Sequence, residues 1–284
     1  MRSQPDFTHR PVPGPKWLVF LTMLLLLAGC ASWTARSPAP SDTVTRKVDV
    51  LLPTDVLLIG EQHDAADHQR LERETVEALA TQGKLAALAI EMAEQGNDTR
   101  YLDASASEAK VQTALNWNDA GWPWKAYGPV VMAAVQAGVP VYGANLPRER
   151  MKDAMEDVSL DAQLNADALQ AQQQAVREGH CDMLPEKQIL PMTRIQIARD
   201  RAMAQTIMKA RVPGKTVVLV SGAGHSVKTL GVPRHLPTDV RVQAVQLAAG
   251  DAHAQASAAS YDAVWLTPPV PERDYCAEFK ATRR

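Results

Sequence analysis

Three things are scarce in this sequence: charge of one sign, long apolar runs and cysteine. Lys plus Arg number 30 against 32 for Asp plus Glu, a formal net charge of -2, which argues against a general nucleic-acid binder. After Ala28 no stretch is long and apolar enough for a membrane-spanning helix, which needs roughly 20 residues. The cysteines are three, Cys30, Cys181 and Cys276, so the chain can close at most one intramolecular disulfide. Internal repetition is also missing, apart from one short Gly-x-x-His pattern that occurs twice.

What is present begins at the N-terminus. Arg2, His9, Arg10 and Lys16 make a weakly basic start, and the apolar run from Trp17 to Ala28 fits the hydrophobic region of an export signal. The run closes on Leu27-Ala28-Gly29-Cys30, where two small residues fit a narrow peptidase cleft and the thiol accepts lipid. Residues 1–29 read as a lipoprotein signal peptide and Cys30 as the acylated, palmitate-bearing end of the mature chain. The blander reading is an ordinary signal peptide that contains a cysteine. Ala31 and Ser32 follow with no Asp to retain the protein, so the expected place is the cell envelope, lipid-anchored at the outer membrane. Residues 30–48, rich in Ser, Thr, Pro and Ala up to Arg46, read as a flexible tether, and 49–284 as one domain. Lipidation of Cys30 leaves Cys181 and Cys276. An exported compartment permits a disulfide between them, and the alternatives are two free thiols or one soft metal ligand.

Short continuous runs of Val, Ile, Leu and Ala have the pattern of strands buried on both faces. They are Asp55 to Ile59, Leu85 to Ile90, Val139 to Tyr142, Thr216 to Val220, Val240 to Leu247 and Ala263 to Leu266. Helical periodicity over Ala66 to Thr81 and Tyr127 to Ala137 separates the early ones. The alternation predicts an α/β fold, a mainly parallel sheet flanked by helices. Between about 147 and 211 the pattern changes to Ala-, Gln- and Leu-rich helices over Asp161 to Glu178 and Met192 to Ala210, an all-helical insertion.

Polar residues fall where the strands end. Glu61 and His63 follow the first strand, Glu91 the second and His225 the fourth, so parallel strands bring all four to one edge of the sheet, where ligands bind in open α/β folds. Two Glu and two His make a candidate site for a divalent metal, or a metal-free acid–base cluster. Glu61 and Glu91 are the candidate catalytic carboxylates of a hydrolase. The glycines of the two Gly-x-x-His segments, Gly60 and Gly222, are expected to turn the chain off its strand. A side chain facing a crevice contributes little to a core, so His63→Ala and His225→Ala are expected to leave the fold intact. Asp64 reads as a helix cap, His68 as facing either crevice or solvent, and Arg199-Asp200 as an internal ion pair. Trp117, Trp122 and Trp124 with Tyr127 read equally as core packing or as an aromatic wall, and Arg148 as a carboxylate or phosphate binder or a solvated helix start.

Several of these segments together resemble the ChaN family of haem-binding lipoproteins in the Tiki superfamily. They are Gly60-Glu61-Gln62-His63-Asp64 with His68, Ala89-Ile90-Glu91-Met92, Gly121-Trp122-Pro123-Trp124 with Tyr127, Asn145-Leu146-Pro147-Arg148, Cys181 to Pro185, Gln196 with Arg199-Asp200, and Gly222 to His225 with Gly231-Val232-Pro233. The resemblance spans roughly Asp55 to Pro233. It implies haem bound for iron uptake at a homodimer interface, with a tyrosine on the iron, His and Lys near the propionates and an outer-membrane haem receptor as partner. In the wider superfamily, similar Gly-x-x-His and Glu positions imply a metal-dependent hydrolase instead. One departure stands out: the insertion from Arg148 to Arg211 contains no tyrosine. Tyr127, His180 and Cys181 are the candidate haem ligands that remain.

Overall fold

A computed structural model describes residues 40–250 and 260–281; the expected signal peptide and Cys30 lie outside the described residues. The apolar runs become six strands: β1 (Val56–Glu61), β2 (Leu85–Glu94), β3 (Val141–Asn145), β4 (Thr216–Gly222), β5 (Val242–Ala249) and β6 (Ala263–Thr267). They form one sheet in the order β3-β2-β4-β1-β5-β6, and every neighbouring pair is parallel. Successive residues alternate between two cores. Leu57, Ile59, Leu88, Ile90, Val218 and Val220 enter one, while Val56, Leu58, Ala87, Ala89, Val217 and Leu219 enter the other. With both faces dry, the strands need apolar residues at every position, which is why they read as continuous runs.

The first face is covered by α1 (Pro40–Leu51), α2 (Ala66–Thr81) and α4 (Trp124–Gln136), with the short α3 (Glu108–Ala114) beside them. Residues 40–48, expected as part of the tether, belong to α1: Val44 and Val48 are buried in this core, so the domain begins earlier than its composition indicates. The second face is covered by the C-terminal half of α7 (Glu186–Ala210), through Met203, Ala204, Ile207 and Ala210. The N-terminal half of α7 packs with α5 (Met151–Glu156) and α6 (Ala166–Gly179) around a small core of its own that includes Leu160, Leu164, Ile195 and Ile197. That is the helical insertion. Pro191 lies inside α7, where it removes one ladder hydrogen bond without ending the helix. A disulfide joins Cys181, in the turn between α6 and α7, to Cys276 on α8 (Tyr275–Ala281).

This strand order creates a crevice. The chain leaves β1 towards β2 on one side, and leaves β4 towards β5 on the other. The two connections diverge from neighbouring central strands, which opens a gap beyond their C-terminal ends.

Candidate functional site

A cleft of about 1240 Å³ occupies that gap, and Glu61, His63, Glu91 and His225 all line it. The four residues that the strand ends nominate are therefore brought together. They form two separate hydrogen-bonded groups.

The first group centres on Glu61, the last residue of β1, which is 2% exposed. One carboxylate oxygen accepts from the Tyr127 hydroxyl at 2.7 Å and contacts His63 Nδ1 at 2.8 Å. The other accepts from Gln69 Nε2 at 2.7 Å. Glu61 thus fixes the His63 ring by one nitrogen. Trp122 packs edge-on against that ring with centroids 4.9 Å apart. Burial works against a charged imidazole at His63, but the Glu61 hydrogen bond and the Glu91 charge outweigh it and raise the pKa. Burial and then the Glu61 charge drive the Tyr127 phenol well above its usual range, so it stays a neutral donor.

The second group is Glu91, His225 and Asp200, all buried. His225 Nδ1 lies 2.6 Å from Asp200 Oδ1, and Nε2 lies 3.4 Å from Glu91 Oε1. The Gly222 amide donates to the second Glu91 oxygen at 2.8 Å. Burial opposes charge on every member. At His225 the Glu91 and Asp200 carboxylates prevail and raise the pKa to about 10; at Glu91 the His225 charge prevails and lowers it to about 2. The ring is an imidazolium clasped between carboxylates.

That geometry corrects several expectations. Among the described residues no three His, Cys, Asp or Glu side chains form a group able to hold a metal ion, so a divalent metal on Glu61, His63, Glu91 and His225 is not supported. His225 also differs from a bystander at a strand end: removing it would leave two buried carboxylates uncompensated, so His225→Ala is expected to disturb the fold. Arg199 and Asp200 do not pair with each other; Asp200 faces the sheet on the stripe that carries Met203, Ala204 and Ile207, while Arg199 Nη1 donates to Gln196 Oε1 at 3.3 Å. Asp64 does not cap α2, whose N-cap is Ala65 with no side-chain hydrogen bond; its carboxylate instead accepts from Gln62 and from the Tyr275 hydroxyl. Gly60 and Gly222 keep ordinary negative-φ backbone and are needed for close approach. A Cβ on Gly60 would sit 2.8 Å from the Ala223 Cα, and one on Gly222 2.8 Å from His63 Nε2.

His68 faces neither crevice nor solvent. Fully buried, it accepts at Nδ1 from the Gln62 amide and meets Thr267 Oγ1 through Nε2, tying β1's end to β6. The tryptophans divide between their two readings, since Trp124 is in the core and the half-buried Trp122 lies against His63. Gln69 and Glu72 escape the sequence reading. Both lie on the inward face of α2, and Glu72 precedes Val76 and Leu79 by one and two turns, a core phase that marks a carboxyl to be explained.

A second cavity, of about 500 Å³, lies in the insertion between α6 and α7. Its lining mixes apolar residues, among them Val176, Met192, Ile195 and Leu230, with the polar Gln172, His180, Gln196, Arg199, Asp200 and His225. Such a slot with a soft or imidazole donor suits haem. Of the three candidate ligands, Tyr127 is buried with its hydroxyl on Glu61, and Cys181 is consumed by the disulfide. His180 borders the slot, and its Nδ1 lies 2.8 Å from the Val176 carbonyl, a contact that places a proton on Nδ1.

Comparison with known proteins fits this architecture. Residues 48–236 match a family model described as haem-binding uptake, Tiki superfamily, ChaN. Among solved structures, ChaN of Campylobacter jejuni with cofacially bound haem is similar in fold, with a TM-score of 0.62 and 21% identity over 80% of this chain and 91% of that one. RRSP, a toxin effector domain from Vibrio vulnificus, gives a TM-score of 0.39 and 13% identity over 81% of this chain and 40% of that one. No curated protein matches the sequence.

Proposed function

We propose, since this chain belongs to the ChaN haem-binding uptake family of the Tiki superfamily, that it binds haem as an exported, lipid-anchored component of iron uptake. The family match over 48–236 carries this reading, because it covers the first four strands and the insertion. His180 would hold the iron from the wall of the insertion cavity, with Val176 fixing its tautomer. Haem would supply the iron, and the protein would supply an imidazole donor and the apolar residues of the cavity. Anchoring through Cys30 at the outer membrane, assembly as a homodimer and exchange with an outer-membrane haem receptor belong to the same proposal. Titrating haem into the purified mature protein is expected to give a Soret band that saturates. His180→Ala is expected to shift or abolish it, and a spectrum identical to wild type would remove His180 as ligand.

A second reading is favoured by the Glu61–His63 pair. With Nδ1 held by Glu61, His63 is oriented to take a proton at Nε2 from a water in the cleft, as in metal-free hydrolysis. Ester hydrolysis that survives a chelator and is lost in His63→Gln would establish it; no turnover of any ester or amide probe would set it aside.

A further inference from the structure

Beside the acid–base cleft lies a cavity of about 440 Å³, formed between the ends of β2 and β3 and the segment that carries Trp122. Arg148 and Arg199 both line it, and among the described residues neither takes part in an ion pair. Arg273, the other arginine at the cleft, is by contrast clasped by Glu278 at 2.6 Å. Arg199 uses Nη1 on Gln196, while its Nε is buried without an acceptor. In the same cavity Asn145 Oδ1 is buried without a donor. Buried polar groups are paired almost without exception, so one orphaned donor and one orphaned acceptor around a single cavity mark an absent ligand that offers both.

We propose that this cavity binds a carboxylate through Arg148 and Arg199, with Asn145 accepting from a donor beside the acid group. A guanidinium presents parallel N–H groups that match the two oxygens of a carboxylate. Gln196 occupies Nη1, which leaves the Nε and Nη2 edge for the ligand. That edge becomes available when the side chain turns towards the cavity, a movement that relieves the orphaned Nε. Glu91 and Glu94 line the same cavity, so a phosphate dianion meets more repulsion there than a carboxylate monoanion. Two sources carry this chemistry. Arg199 and Met151 line both this cavity and the insertion cavity, which places a haem propionate within the shared boundary; a free organic acid is the other source. The first source rests on the haem reading above. The carboxylate site itself does not.

The test uses the full mature protein without haem, with benzoate and inorganic phosphate as probes. Arginine Nε–H resonances and the thermal unfolding midpoint are the readouts. Benzoate is expected to move the Arg199 resonance and raise the midpoint, and phosphate at equal concentration to do neither. Arg148→Gln, a change at an exposed residue that spares the fold, is expected to weaken benzoate by roughly tenfold, the scale of a lost charge-assisted contact. Arg199→Gln is expected to abolish it. Unmoved arginine signals, phosphate binding as strong as benzoate, or unchanged affinity in Arg148→Gln would each overturn the proposal. Haem against its dimethyl ester then separates the sources. Tighter binding of haem with displacement of benzoate assigns a propionate, and equal binding of the ester with benzoate retained assigns a free acid. Failure of both porphyrins to bind would end the haem reading while the benzoate result stood.

Discussion

Glu72 is the residue whose surroundings suit its charge least. It is fully buried, and no donor reaches either carboxyl oxygen; the Glu61 carboxylate is the polar group it faces. Burial first, and the Glu61 charge second, raise its pKa well above 4.5. The folded protein therefore keeps a proton that the unfolded chain releases, so this residue lowers stability as pH rises past 4.5. Glu72→Gln retains the shape and removes the proton uptake. Its thermal midpoint is expected to match wild type near pH 4 and exceed it at pH 7, by roughly 1–3 kcal/mol of stability. An equal or lower midpoint at pH 7 would contradict this account.

His225 titrates in the same sense, over a higher pH window. Its pKa, raised to about 10, gives a stabilising contribution that is whole below 6.5 and is lost as pH rises through 10. Its partner Glu91, lowered to about 2, contributes fully above 4.5 and loses that contribution as pH falls towards 2. The imidazole carbon resonances of His225 should therefore stay in the charged position from pH 5 to 8, and a midpoint near 6.5 would show that the clasp is not formed. His225→Ala is expected to cost about 3–5 kcal/mol, the usual effect of uncompensating a buried ionic group.

At the scale of elements, the segment after β6 is tied at both ends and loose between. Residues 268–274 have no regular structure, yet Pro269, Pro271 and Arg273 wall the main cleft. Thr267 fixes one end in the sheet; the Tyr275–Asp64 contact and the Cys181–Cys276 disulfide fix the other. Reduction, or Cys276→Ser, is expected to cost about 2–4 kcal/mol and to expose this strap. Tryptic cleavage after Arg273 should then accelerate by roughly tenfold, because cleavage tracks the open population. An unchanged rate would mean that packing alone holds the strap.

The six strands were legible because burial on both faces leaves them no freedom to be polar, and α2 because Leu71, Val76 and Leu79 repeat with helical spacing. α1 was not, since Val44 and Val48 are its chief apolar anchors in a segment of Ser, Thr, Asp and charged residues that composition alone assigns to a linker. The convergence of Glu61, His63, Glu91 and His225 could be read from parallel strand ends. Their partners could not. Asp200 reaches His225 from a helix, and only its place on the stripe with Met203 and Ile207 distinguishes it from its neighbour Arg199.

At the scale of the whole molecule, the proposed anchoring and export turn on one cysteine. Cys30→Ser is expected to abolish fatty-acid labelling and to leave the protein unprocessed or released from the membrane fraction. A mature wild-type protein that takes up no label would remove the lipoprotein reading.

The strand order also governs when this chain can acquire its structure. β1 is made early, but its two neighbours are β4 and β5, which pair with it at registers such as Val56 to Val217 and Val56 to Val242. Until synthesis passes that point, the central strand has no sheet to join and both of its edges are open. Contacts so distant in sequence make folding slow. Ribosomes add about 5–20 residues per second, so the nascent chain remains without its central sheet for several seconds. A chain ending at Arg211 is expected to show no cooperative unfolding transition, and restoring β4 to β6 to bring it back. Topology thus keeps the polypeptide open until its last quarter is being made, a delay that would suit the proposed export.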